Sequence, residues 1–115
     1  MLTGKQTLHR GPAPGSRFSL QTPAGEQYRD RYWKEREFVT VDSFVRLASD
    51  AGVAPTTLAI AWVLANPVVT APLLGASLPD QLDDCLAAVS YELDSVLKQK
   101  LDDLSAEYRR GDSAR

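Results

Sequence analysis

The stretch Val68-Val69-Thr70-Ala71-Pro72-Leu73-Leu74-Gly75 decides how this chain is read. It is short, apolar and rich in β-branched residues, and a glycine bounds it, so it reads as a buried strand. Pro72 sits awkwardly inside it, because proline cannot donate to one of two neighbouring strands.

The sequence on both sides has a helical period. Upstream, Phe38, Val41, Val45 and Ala48 recur at three- and four-residue steps, with Phe44 and Leu47 widening the stripe. That predicts an amphipathic helix ending near Gly52. Pro55 suits the first turn of a second helix. The run from Leu58 to Ala65 is apolar all round, which predicts a helix buried on most sides, and Asn66-Pro67 stops it. Downstream, Ser77 with Asp80 comes close to a capping box, and Leu78, Leu82, Cys85 or Leu86, and Val89 form the apolar face of a third helix. A last helix follows Asp94, with Leu97, Leu101, Leu104 and Tyr108 as its stripe, before a polar tail at 109–115 that is expected to fray. One strand among helices is physically odd. Alone it has two unpaired edges and two apolar faces with nothing to lie against. Either the segment is not a strand, or its pairing partners lie outside these 115 residues; the second explanation is preferred.

Composition supports a folded chain: 43% of residues are hydrophobic and the net charge is −2, which gives no reason to expect nucleic acid as the main partner. The charge is uneven. Residues 1–37 carry +3 and residues 38–115 carry −5. The basic part suits an anionic ligand; a solvated loop with ordinary surface charge is the alternative. Residues 1–37 hold Gly4, Gly11, Pro12, Pro14, Gly15, Pro23 and Gly25 among charged residues, so they read as a long irregular loop. Such loops are often lids or binding loops, with a disordered tail as the alternative. One cysteine, Cys85, and one histidine, His9, exclude an internal disulfide and a zinc cluster. A lone cysteine fits a reducing cytosol, so the expected location is cytoplasmic. No signal-peptide pattern is expected, and the longest nearly apolar run, Leu58 to Ala65, is far short of a membrane span. Tyr28, Tyr32, Trp33 and Tyr91 read as packing residues.

The chemistry-bearing segment is Leu74-Gly75-Ala76-Ser77-Leu78-Pro79-Asp80-Gln81. A strand ends, a glycine permits a close turn, and a serine starts a helix. The first turn of a helix offers free N–H groups and partial positive charge, which favour phosphate. At the C-terminal edge of a barrel strand this is a common phosphate site. Gln81 lies one turn on and could bond a ring edge, with Asp84 and Cys85 on a nearby face. Most such junctions are structural, and the residues alone leave both readings open.

Five stretches, in order, resemble the aldo-keto reductases. Leu2-Thr3-Gly4-Lys5 is similar to the "LTGK" after the seventh barrel strand, and Gly15-Ser16-Arg17 to the "GSR" of the cofactor-covering loop. Gly52 to Pro55 and Leu58 to Leu64 resemble the "GVSPAQLALAWVL" of the seventh helix. Thr70 to Ala76 resembles the eighth strand, and Gln81 to Asp84 the "QLEDN" that follows. The similarity covers about residues 1–105. It implies an α/β fold class: the C-terminal fragment of a (β/α)8 TIM barrel, comprising the last strand, flanking helices and cofactor loop, mostly helical as an isolated chain. The implied segments are a cofactor-covering loop at 1–37, the barrel part at 38–108 and the polar tail at 109–115.

The same resemblance implies an NADP(H) site. Lys5 and Arg17 contact the cofactor phosphates, Gly75, Ala76 and Ser77 hold the adenosine-phosphate end, and Gln81 and Asp84 bind around the adenine and its ribose. Ser77 stands where many members carry an arginine for the 2′-phosphate, although members resembling the potassium-channel β subunits also have serine and take NADPH. Cys85 stands where asparagine is usual; a thiol is a poor hydrogen-bond partner, and a small buried apolar residue is the alternative reading. The choice between NADP and NAD stays open. The catalytic Asp, Tyr, Lys and His of the family lie in early barrel strands, upstream of these residues, and His9 matches none of them. A whole barrel needs about 250 residues. The expected function is therefore a fragment of an NADP(H)-dependent reductase that holds the adenine-phosphate end of the cofactor, binds it weakly or not at all alone, and does not turn over substrate. The alternative is a stand-alone helical module, without catalysis, that covers its apolar strand by self-association or by binding a partner; a third reading is complementation, in which a separate chain supplies the first seven barrel strands.

Overall fold

The computed structural model describes residues 2, 6–76 and 78–108. Five helices carry the fold: α1 (Pro23–Tyr32), α2 (Glu35–Asp50), α3 (Pro55–Leu64), α4 (Asp80–Ala87) and α5 (Ser95–Leu104).

The expected stripe of α2 is buried at Phe38, Val41 and Ala48, with Phe44 rather than Val45 as its inward neighbour. Gly52, at φ 68°, ends the helix. Its N–H donates to the Ser49 carbonyl and the Val53 N–H to the Ala48 carbonyl, each at 3.0 Å, which is the paired closure of a Schellman cap. Val53 then packs against the core. Pro55 opens α3 at a position where its missing N–H costs nothing. Asp94 caps α5 by accepting from the Val96 and Leu97 N–H groups at 2.9 Å each.

Helices α2, α3 and α5 meet in one core of Phe44, Ala48, Leu58, Leu97 and Leu101. Leu58 and Leu101 are the large side chains most completely removed from water, each worth about 1.5–3 kcal/mol of burial. Polar contacts reinforce this packing between α3 and α5, within α5, and between α2 and the turn that follows α5. The Trp62 Nε1–H donates to Asp102 Oδ1 at 2.9 Å, and Lys98 Nζ reaches Asp102 Oδ2 at 2.8 Å. The Thr40 and Tyr108 hydroxyls lie 2.7 Å apart, and burial pushes the Tyr108 hydroxyl above its ordinary pKa.

Four expectations need correction. The first concerns residues 1–37, read as irregular: they contain α1 and two short 3-10 turns, Leu8–Arg10 and Arg17–Ser19. Thr22 accepts from the Gly25 N–H and Pro23 occupies the first turn, so here proline opens a capped helix rather than marking a loop. Gly25 is there for space: a Cβ would collide with the Leu20 carbonyl. Phe18 packs edge-on against Trp33 (5.2 Å) and Trp33 against Phe38 (4.9 Å), joining this segment to α2. His9 lies exposed in the first 3-10 turn.

Second, the Val68–Leu74 segment is not a strand. Among the described residues the backbone forms no strand, and the isolated bridge Thr7–Gly11 is the pairing recorded there. The segment starts in a turn, with the Val69 N–H on the Asn66 carbonyl at 3.0 Å, and continues irregularly. Several of its apolar side chains are exposed, Val68 at 83% and Leu73 at 100%, while Val69 and Pro72 are half-buried. The physical reason is the one the sequence raises. A strand exists through its ladder, and no second strand is present among the described residues to supply one. The segment is also neither helical nor paired on both sides, the two outcomes that would contradict a barrel origin.

Third, α3 is not buried on most sides; Thr57, Leu58 and Ala61 are buried while Leu64 is exposed. Fourth, the helix expected from Ser77 begins at Asp80, with Pro79 before it; Ser77 itself lies outside the described residues, as does the tail at 109–115. The intended apolar face of α4 is open to water at Leu78, Leu86 and Val89. The short turn Ala88–Ser90, with Ala88 buried, seats the end of this helix.

No single helix among the described residues is long and apolar enough to cross a membrane.

Candidate functional site

The expected site residues fall into two groups. Gly75 and Ala76 are exposed, lead into α4, and are followed by Gln81 and Asp84, also exposed, and the half-buried Cys85. Arg17 is exposed in the N-terminal segment. Lys5 and Ser77 lie outside the described residues, so their expected roles have no geometry here.

The α4 end of the site has mixed electrostatics. Its helix dipole favours an anion, yet Asp80 and Asp83 occupy the first turn. The Gln81 N–H donates to the Leu78 carbonyl at 3.1 Å and the Leu82 N–H to the Pro79 carbonyl at 2.8 Å. Two donors of the first turn are therefore already engaged. A phosphate would need its countercharge from elsewhere, and Arg17 is the described cation that the resemblance assigns to that task. Gly75 faces open space, since a Cβ there would meet nothing within 4 Å in this chain. No internal packing demands a glycine at that position.

Cys85 is half-buried and its thiol lies 3.5 Å from the Gln81 carbonyl, one turn back. The thiol bonds within its own helix, in keeping with a filler role.

Two positioning contacts escaped the sequence reading. Thr57, buried at 6%, donates its hydroxyl to the Asp84 carbonyl at 2.7 Å. It fixes α4 against α3. A hydroxyl inside an apolar helix must find an acceptor, and that signal was available. Arg29 donates from Nη1 to the Phe18 carbonyl at 2.7 Å and the Leu20 carbonyl at 3.1 Å. No spacing rule announces a side chain that grips backbone nine and eleven residues away.

Two grooves flank these elements. The larger, about 650 Å³, is walled by Trp62, Val63, Pro67, Lys98, Asp102 and Tyr108, none of them an expected site residue. The smaller, about 320 Å³, contains Asp84 together with Val53, Thr57 and Tyr91. Among the described residues, no group of three or more His, Cys, Asp or Glu is placed to hold a metal.

Comparison with known proteins matches residues 1–106 to the model of the Aldo/keto reductase family. An uncharacterized oxidoreductase of Bacillus subtilis, YrpG, is 37% identical over 70 residues, covering 61% of this chain and 22% of its own length. A putative voltage-gated potassium channel subunit beta of Schizosaccharomyces pombe is 33% identical over 127 aligned positions, covering 96% of this chain and 34% of its own length. The chain thus spans from about a fifth to a third of the curated relatives it matches.

Proposed function

Because this chain belongs to the aldo/keto reductase family, we propose that it is the C-terminal part of an NADP(H)-dependent reductase and carries the adenine-phosphate end of the cofactor site. The family's (β/α)8 parent supplies what the helices alone do not: strands to pair with residues 68–74. The observation that carries the reading is the contrast at that segment. An apolar, β-branched stretch stands largely in water, with Val68 and Leu73 exposed and Val69 half-buried, before an exposed glycine and a helix bearing Gln81 and Asp84.

In this reading Lys5 and Arg17 hold the cofactor phosphates. Gly75, Ala76 and Ser77 give a close-approaching backbone at the adenosine phosphate, and Gln81 and Asp84, with Cys85 behind them, border the adenine and ribose. When bound, the cofactor supplies hydride to a carbonyl carbon, or accepts it from an alcohol. The residues described here have no part in that transfer. They orient the far end of the dinucleotide, at a distance from the reacting atoms. The acidic first turn of α4 makes the cations of the N-terminal segment necessary for any phosphate there.

The test is a titration of the 115-residue chain with NADPH, followed by nicotinamide fluorescence. Weak but measurable binding, and no carbonyl reduction, is expected, because half of the cradle is contributed by other strands. Tight binding by the chain alone would contradict this assignment of an incomplete site.

A second reading is favoured by the exposed side chains of Val68, Leu73, Leu78, Leu86 and Val89. A chain with that much apolar surface is suited to self-association or to docking on a polypeptide bearing the N-terminal barrel strands. Sedimentation separates the readings. A defined dimer across a range of concentrations supports an interaction module, and a monomer that aggregates on concentration supports the fragment.

A further inference from the structure

A group of polar and aromatic contacts in the N-terminal segment surrounds Arg17. Its Nη1 lies 3.4 Å from the Tyr28 hydroxyl, and its guanidinium carbon lies 5.9 Å from the centre of the Tyr28 ring. Arg29, on the next position of α1, grips the Phe18 and Leu20 carbonyls, which lie one and three residues after Arg17. The intervening Phe18 is buried and packs edge-on against both Tyr28 (6.3 Å) and Trp33 (5.2 Å). Gly25 lets the helix approach the Leu20 carbonyl closely. All of these contacts but Phe18–Trp33 run from α1 to residues 17–20, and Trp33 caps the end of α1.

A lone arginine on a flexible loop is a poor phosphate ligand, because ordering its backbone and its long side chain opposes binding. Here the backbone on the C-terminal side of Arg17 is clamped by a charged donor, and charge-assisted bonds are stronger than neutral ones. The Tyr28 hydroxyl engages one corner of the guanidinium, and the residue as a whole remains exposed. A guanidinium carries five N–H donors, so one contact leaves enough for a bidentate grip on an anion.

We propose that Arg29 and Tyr28 are positioning residues that hold Arg17 ready for a phosphate or pyrophosphate group, with α1 as the platform. This rests on the reading of Arg17 as a cofactor-phosphate contact. Arg29 acts on the backbone after Arg17, and Tyr28 acts on its side chain. Neither touches the anion. The arrangement also explains why a helix occupies a segment whose composition suggests a loop: it braces the turn that bears the cation.

The test is an NMR titration of the full chain with inorganic pyrophosphate, following the Arg17 side-chain Nε–H resonance. In the unaltered chain that resonance should move saturably. Arg29→Gln should weaken the response about fivefold, the scale of one lost hydrogen bond, while the amides of α2, α3 and α5 keep their positions. Arg29→Lys, which retains the charge on a single donor nitrogen, should restore part of it. Tyr28→Phe should give a smaller loss than Tyr28→Leu. A purely structural role for α1 would alter its amide pattern with no graded effect on pyrophosphate. If Arg29→Gln and Tyr28→Leu leave the Arg17 titration unchanged, the positioning role is overturned while the phosphate reading stands. If the Arg17 resonance ignores pyrophosphate in the unaltered chain, the phosphate reading fails and the positioning role fails with it.

Discussion

The α2–α3–α5 bundle and the stretch from Val68 to Val89 have similar apolar content, yet they have opposite fates. In the bundle, Phe44, Ala48, Leu58, Leu97 and Leu101 close on one another, and each helix brings its own terminus: a glycine closure after α2, a proline before α3, an aspartate before α5. In the other region, Val68, Leu73, Leu78, Leu86 and Val89 face water. The difference lies in where each element finds its partner. A helix satisfies its backbone internally and needs only one apolar neighbour, which this chain provides. A strand satisfies its backbone only through another strand. The helix beside it, α4, presents an apolar face that has no sheet to lie on. The chain thus behaves as a self-sufficient helical half joined to a half whose complement is absent from the described residues.

Substitutions break or sharpen that contrast. The largest effect is expected at Leu58→Ala, which opens a cavity where burial is complete. It should cost about 2–5 kcal/mol, read by urea denaturation, enough to unfold much of so small a bundle. Asp94→Ala removes two bonds to the first turn of α5. It should cost about 1 kcal/mol and lower the helical circular-dichroism signal without changing the core. Leu73→Ser, a hydrophobic residue of nominally equal importance, should change stability by less than about 0.5 kcal/mol, because nothing is lost from a fully exposed side chain. It should instead reduce concentration-dependent association in sedimentation. A large loss of stability at Leu73 would mean that the two regions are not distinct.

The same contrast explains what the sequence disclosed. The stripes of α2 and α5 and the stops at Gly52 and Asn66-Pro67 were legible because helical period and caps are local. That Gln81 and Asp84 lie on a helix was legible for the same reason, whereas the exposure of that helix was not. The helix α1 was missed because Thr22-Pro23 and Gly25 carry loop composition, and the aromatic contacts that hold the helix, Phe18 on Trp33 and Trp33 on Phe38, are tertiary. The strand at Val68–Leu74 was read from β-branched composition, which describes fit to a sheet rather than an intrinsic backbone state. Without the sheet the same residues stay irregular. The Arg29 clamp left no trace in spacing, because its acceptors are backbone carbonyls whose position depends on the turn at Arg17–Ser19.

The central claim is that residues 68–74 form a strand-type segment without a ladder, beside a helical core that needs none. Hydrogen exchange on the dilute monomeric chain, read residue by residue, tests it most directly. The amides of Thr70, Ala71, Leu73 and Leu74 should exchange near the rate of an open chain, while those of Leu58, Ala61 and Leu101 are slowed by many-fold. Slow exchange across residues 68–74 in the monomer, comparable to that of α5, would contradict the account.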